Sequence, residues 1–187
     1  PDVFKDFPAT CVIYIQPIGN LDTNLLENVR AGVSDFFGAK TKILPAIDLT
    51  YKERSYKLEE NKYDADLLIP DILSRLRVPS DAVAIPLVIR DNICAGGYTW
   101  VFSSRREKAI LTSYFIWQKR SFQQRVDLLK KSLIASISTQ LTGKKGRFPC
   151  VTAGSGDSFS PLKKMLAYCP EIQEVYRQTD IVAEQKE

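Results

Sequence analysis

The stretch Ser121–Cys150, SFQQRVDLLKKSLIASISTQLTGKKGRFPC, constrains the chain more than any other. Ser121 followed three residues later by Gln124 is a capping-box pair, in which hydroxyl and amide satisfy backbone donors left open at a helix start. Val126, Leu129, Leu133, Ile134, Ile137 and Leu141 recur at spacings of three and four, whereas Gln123, Asp127, Lys130 and Lys131 fall mainly elsewhere. That pattern predicts one long helix with a buried apolar face. Gly143 supplies the stop, and Lys144, Lys145 and Arg147 then place positive charge near the carbonyl end of the dipole, where no ligand is needed to explain it.

Ahead of this helix the chain alternates. ATCVIYIQP at 9–17 is a continuous apolar, β-branched run, the pattern of a strand covered on both faces. Gly19 and Asn20 turn the chain, and Asp22 or Thr23 caps a helix through about Phe37. Its stripe is Leu25, Leu26, Val29, Val33 and Phe36, and Gly38 ends it. KTKILPAIDL at 40–49 is the next strand, with Pro45 pointing to an edge or a bulge. Strand, helix and strand at this spacing predict a crossover in a partly parallel sheet. Residues 51–63 read as a loop or exposed hairpin. Asp64 opens a second helix that Pro70 should kink or restart. The apolar strand at 81–90 is expected beside the first. Residues 92–115 read as two antiparallel strands, or one strand with a long bulged loop. After Cys150 come a GSGDS loop, a short helix near Ser160 and a weaker one around 171–177. The expectation is a single domain over 1–187. Its fold class is α/β (α+β), with a twisted, mostly parallel mixed sheet, an antiparallel edge strand and about three main helices.

The chain contains no histidine. Histidine is the commonest metal ligand and general base, so a His-rich catalytic zinc, a Ser-His-Asp triad and a Cys-His dyad are excluded. Four cysteines, Cys11, Cys94, Cys150 and Cys169, form no C-x-x-C pair. A formal charge of +4 is too mild for a nucleic-acid protein. No run approaches the roughly 18 apolar residues of a membrane span. Neither a nucleic acid nor a membrane is therefore expected as partner, and neither compartment nor oligomeric state can be read.

Element order and three strings resemble the archaemetzincins, a branch of the metzincin zinc peptidases. VIYIQPIGN at 12–20 is similar to their first strand and turn, KYDADLLIPDIL at 62–73 to the opening of their second helix, and GGYTWVFSSRR at 96–106 to the strand leading toward their active-site helix. Metzincins carry H-E-x-x-H-x-x-G-x-x-H, whose three imidazoles hold zinc while the glutamate polarises the water. Laid on this chain without a gap, the resemblance puts the histidine positions at Ile134, Ser138 and Lys144 and the glutamate position at Ala135. Leu141 takes the place of the bend glycine. The family's second, structural zinc is bound by four cysteines. Here Lys145 takes the first position, Cys150 matches the second, Thr152 replaces a neighbouring methionine, Cys169 falls near the third and Ile172 takes the fourth. Isoleucine offers no lone pair, a protonated lysine repels a cation, and alanine cannot act as base.

The resemblance implies a metzincin-like fold whose catalytic ligands are lost, with no cofactor and a vestigial cleft that binds a peptide or protein. The alternatives are a hydrolase or peptidase on a non-histidine site and a structural or regulatory subunit. Cys150 and Cys169, implied to have shared one ion, become either a disulfide or two packed thiols. Ser158 in GDSF lacks an activating histidine. Lys130 and Lys131 near Ser132, Ser136 and Ser138 raise a Ser-Lys mechanism, which needs a buried lysine. The basic cluster Lys144, Lys145, Arg147, Lys163 and Lys164 reads as solvated surface.

Overall fold

The computed structural model describes residues 12–49, 54–96, 98–101, 103–106 and 109–142, the side chains of 98–106 and 139–142 excepted. The apolar run near the N-terminus forms β1 (Val12–Ile18), and all seven of its residues are buried. Two faces and both edges of a central strand are shielded, which is why no alternation of polar residues appears in it. Asp22 then caps α1 (Thr23–Phe37), its carboxylate accepting the amides of Asn24 and Leu25 at 2.9 and 3.2 Å. Leu25, Leu26, Val29, Val33 and Phe37 are buried. Phe37 takes the innermost place expected of Phe36, which packs from the rim with its ring edge-on to Phe37 at 5.2 Å. Gly38 ends the helix at φ 63°, a conformation that glycine adopts without a Cβ clash.

The crossover closes onto β2 (Lys40–Ile43), parallel to β1 and at one edge of the sheet. The strand stops at Ile43 rather than reaching Leu49. Proline at 45 has no N–H for the ladder, and the chain continues as irregular backbone. Ile47 rejoins β1 through a single bridge to Ile18. The buried Gln16 amide spans the gap, donating 2.8 Å hydrogen bonds to the carbonyls of Pro17 and Pro45. Its side chain satisfies the Pro45 carbonyl, which lies beyond the end of β2, and shares the Pro17 carbonyl with the Ile47 amide.

Residues 54–64 form a hairpin of β3 (Tyr56–Lys57) and β4 (Lys62–Asp64) around a 3-10 turn, with Asn61 left-handed at φ 50°. Asp64 caps α2 (Ala65–Arg75), its carboxylate accepting the Asp66 amide at 3.0 Å. The helix runs on through Pro70 without a restart. Only the one backbone donor of residue 70 is forfeited there, and Leu68, Ile69 and Ile72 hold the turn by burial. The second apolar run splits into β5 (Ala82–Ala84) and β6 (Pro86–Ile89), both parallel to β1 and adjacent to it as expected. Pro86 starts β6, a position where its missing donor is tolerated.

Residues 92–115 depart from expectation, forming four strands in place of two: β7 (Ile93–Ala95), β8 (Tyr98–Val101), β9 (Ser103–Arg106) and β10 (Ala109–Ser113). The first pair and the second pair belong to different sheets. The main sheet runs β2-β1-β6-β10-β9, with β5 also on β1, and is parallel except for β9, which is antiparallel to β10. The smaller sheet runs β3-β4-β7-β8. Finally α3 (Phe122–Thr142) follows Ser121, and the capping box is made: each partner's amide donates to the other's side chain at 3.3 Å.

Alternate residues of one strand divide the core. Val88 of β6 joins α1 and α3 in one apolar cluster, whereas Leu87 and Ile89 join α2 in another. The sheet is therefore covered by α1 and α3 on one face and by α2 with the small sheet on the other.

Candidate functional site

On α3, Val126, Leu129, Leu133 and Ile137 are buried as the periodicity predicts, and Leu128 joins them. Ile134 lies on the same apolar surface at 3% exposure, packed into the α1–α3 cluster. One turn on, Ser138 is fully buried, and its hydroxyl donates to the Ile134 carbonyl at 2.5 Å. Ala135 is half-buried. Lys144, Cys150 and Cys169 lie outside the described residues, as do Ser158, the C-terminal basic cluster and the predicted elements after Gly143.

These residues do not fit a catalytic zinc. At the positions that the resemblance aligns with two zinc ligands stand an aliphatic side chain and a hydroxyl whose proton is directed back along its own helix, and at the one it aligns with the base stands a methyl group. Among the described residues no group of three or more histidine, cysteine, aspartate or glutamate side chains is placed to hold a metal ion. The Ser-Lys alternative finds no base either. Lys130 and Lys131 both pair with Asp127, at 3.5 and 2.9 Å, on the polar side of the helix.

Two groupings lie on the other face of the sheet, and neither was read from the sequence. Cys94, buried on β7, is the register partner of Asp64 on β4. Lys57 reaches the Asp64 carboxylate at 3.1 Å, and that hydrogen bond, followed by the charge of Cys94, pushes the Lys57 ammonium above its ordinary pKa. The second is a cleft between α2 and the segment leading into β3, which Arg54, Ser55, Asp66, Leu67, Pro70, Asp71 and Arg75 line. The i,i+4 spacing of Asp71 and Arg75 was the one local signal for it, and they pair at 2.6 Å.

No family model matches the sequence, and no curated protein matches it. Solved structures do match. The archaemetzincin of Archaeoglobus fulgidus, crystallised with malonate, superposes with a TM-score of 0.70 at 21% identity, over 88% of this chain and 99% of that one. The archaemetzincin of Methanopyrus kandleri gives 0.73 at 16% identity, over 91% and 96%. A zinc-dependent peptidase from Methanocorpusculum labreanum gives 0.72 at 14% identity, over 88% and 99%. The chain has an archaemetzincin-like fold.

Proposed function

We propose that this chain is a non-catalytic member of the zinc-peptidase fold, whose remaining activity is to bind an extended peptide or protein segment. The observation that carries the reading is the burial of Ile134 and Ser138 in the α1–α3 core, where a peptidase of this fold would need ion-binding side chains facing substrate. A position that offers no lone pair and is sealed from solvent neither coordinates a metal nor activates water.

Because those two side chains are covered, the binding surface is assigned to the edge of the main sheet instead. β9 pairs with β10 on one side and with no strand on the other among the described residues. A free edge presents alternating backbone N–H and C=O groups that an extended segment completes as an added strand. Peptide-array binding with the purified chain tests this, together with Ser104→Pro and Arg105→Pro, neighbouring positions whose amides point to opposite edges. One of the two prolines abolishes capture of extended peptides, and zinc supplementation produces no cleavage. Capture indifferent to both prolines, or zinc-dependent hydrolysis, overturns the reading.

A further inference from the structure

The cleft between α2 and the segment before β3 has a volume of about 550 Å3, within the range of sites that hold a small organic ligand. Most of its charge is already committed. Arg75 pairs with Asp71 at 2.6 Å and reaches the Asp48 carbonyl at 3.4 Å, and Asp66 accepts the Gly96 amide at 2.9 Å. Two adjacent groups are not committed. The exposed Arg54 makes no hydrogen bond or ion pair with the described residues. Ser55 is 3% exposed, and its hydroxyl has no hydrogen-bond partner, an unfavourable state for a buried polar group. Beside them Leu67 is 45% exposed, and Pro70 adds further apolar surface.

We infer that this cleft binds an amphipathic monocarboxylate, held by the Arg54 guanidinium and the Ser55 hydroxyl, with its carbon skeleton against Leu67 and Pro70. The two uncommitted residues are consecutive in the chain, both line the cleft and both carry hydrogen-bond donors, so they call for an acceptor, and a guanidinium fork matches a planar carboxylate. One uncommitted positive charge answers one negative charge. A phosphate dianion would add a second negative charge beside Asp66 and Asp71, which line the same cleft. The carboxylate has two sources with the same chemistry: a free short-chain acid, or the C-terminus of a peptide that ends in an apolar residue.

Amide-resolved NMR titration of the full chain tests the site with four probes: hexanoate, acetyl-Gly-Leu as free acid, the same peptide as C-terminal amide, and inorganic phosphate. At least one carboxylate shifts the amides around Ser55 and Leu67 at millimolar concentration, and the tighter of the two identifies the source. Arg54→Gln weakens that binding about tenfold or more, the scale of a charge-assisted hydrogen bond. Ser55→Ala weakens it by a smaller factor without lowering the thermal midpoint, since the hydroxyl it removes has no partner in the free chain. If neither carboxylate binds, if the peptide amide or phosphate binds as well as the acid, or if Arg54→Gln leaves affinity unchanged, the site is not there. Arg54 and Ser55 lie outside β9, so loss of carboxylate binding in their variants is read separately from loss of strand capture in the β9 variants.

Discussion

Placing histidines at two positions that the resemblance aligns with zinc ligands, Ile134→His with Ser138→His, separates a sealed core from a dormant site. Ile134 is 3% exposed, so replacing it forfeits about 1.5–3 kcal/mol of aliphatic burial. Setting an imidazole there without a partner costs a further ~1–3 kcal/mol on the scale of protein mutational data. Ser138 is fully buried, and enlarging it to histidine forces its neighbours apart at a cost of about 1–3 kcal/mol. The sum, about 3.5–9 kcal/mol, is comparable with the whole stability of a domain, about 5–15 kcal/mol.

At roughly 2–4 °C per kcal/mol for a chain of this size, the thermal midpoint falls by about 7 °C at the least and by 30 °C or more at the upper end. Ile134→Val, which keeps the β-branch and most of the volume, costs only about 0.5–1.5 kcal/mol and serves as the control. The assay is thermal unfolding followed by circular dichroism, with zinc and with a chelator. A restored site would gain about 2.7 kcal/mol once zinc exceeds its dissociation constant a hundredfold. If the double variant melts near wild type, or if zinc raises its midpoint by several degrees, these positions line a preformed cleft and the reasoning from burial fails.

Two further outcomes follow from packing and charge. Gly32 of α1 lies against α3, where a Cβ would collide with Lys130 Cδ and meet Cγ at 3.2 Å. Gly32→Ala alone is accordingly near neutral or destabilising in urea denaturation. In a Lys130→Ala background it instead stabilises by about 1 kcal/mol, the helix propensity that the lysine stem had cancelled; equal effects in both backgrounds refute the contact. Tyr114, 2% exposed, has its phenol pushed above 10.0 chiefly by burial. A raised acid keeps its proton longer folded than unfolded, so stability is unaffected below the unfolded value and declines as pH rises from there toward the folded value. Tyr114→Phe flattens that alkaline decline in denaturation midpoints, and an unchanged slope points to other groups.

Where one residue decides local geometry, the sequence was legible. Asp22 and the Ser121–Gln124 pair cap their helices with the side chains expected of them, and Gly38 takes the left-handed stop. β1 and β6 were recognisable because a strand buried on both faces needs apolar residues throughout. The region 92–115 was not. Assignment of its strands to two sheets depends on partners distant in sequence: Ile93 pairs with Tyr63, and Ser113 with Ile89. No local periodicity encodes that choice. The α2 cleft was hidden for the same reason, since Ser55 and Asp66 meet only after the β3–β4 hairpin and α2 have folded. The zinc-motif positions could be located by resemblance. The burial of Ile134 was legible too, since it belongs to the apolar stripe of α3, whereas that of Ser138 was not, because a serine carries no apolar signal.

What became of that helix face has a physical logic. A histidine ligand must stay hydrated or metal-bound, which forces a solvent path to the sheet and keeps part of the α3 face out of the core. Once an isoleucine stands there, that constraint disappears and closing the face becomes favourable by the burial of one more aliphatic side chain. Serine at 138 fits the same closed face, because a small hydroxyl that donates to its own helix at Ile134 is satisfied without water or metal. The two residues are thus coupled through a single turn of α3. Isoleucine makes a closed core favourable, and serine removes the buried polar group that would otherwise keep it open. Reintroducing one histidine alone therefore returns the cost of the open form without its ion, and each single variant should be less stable than wild type with zinc present or absent.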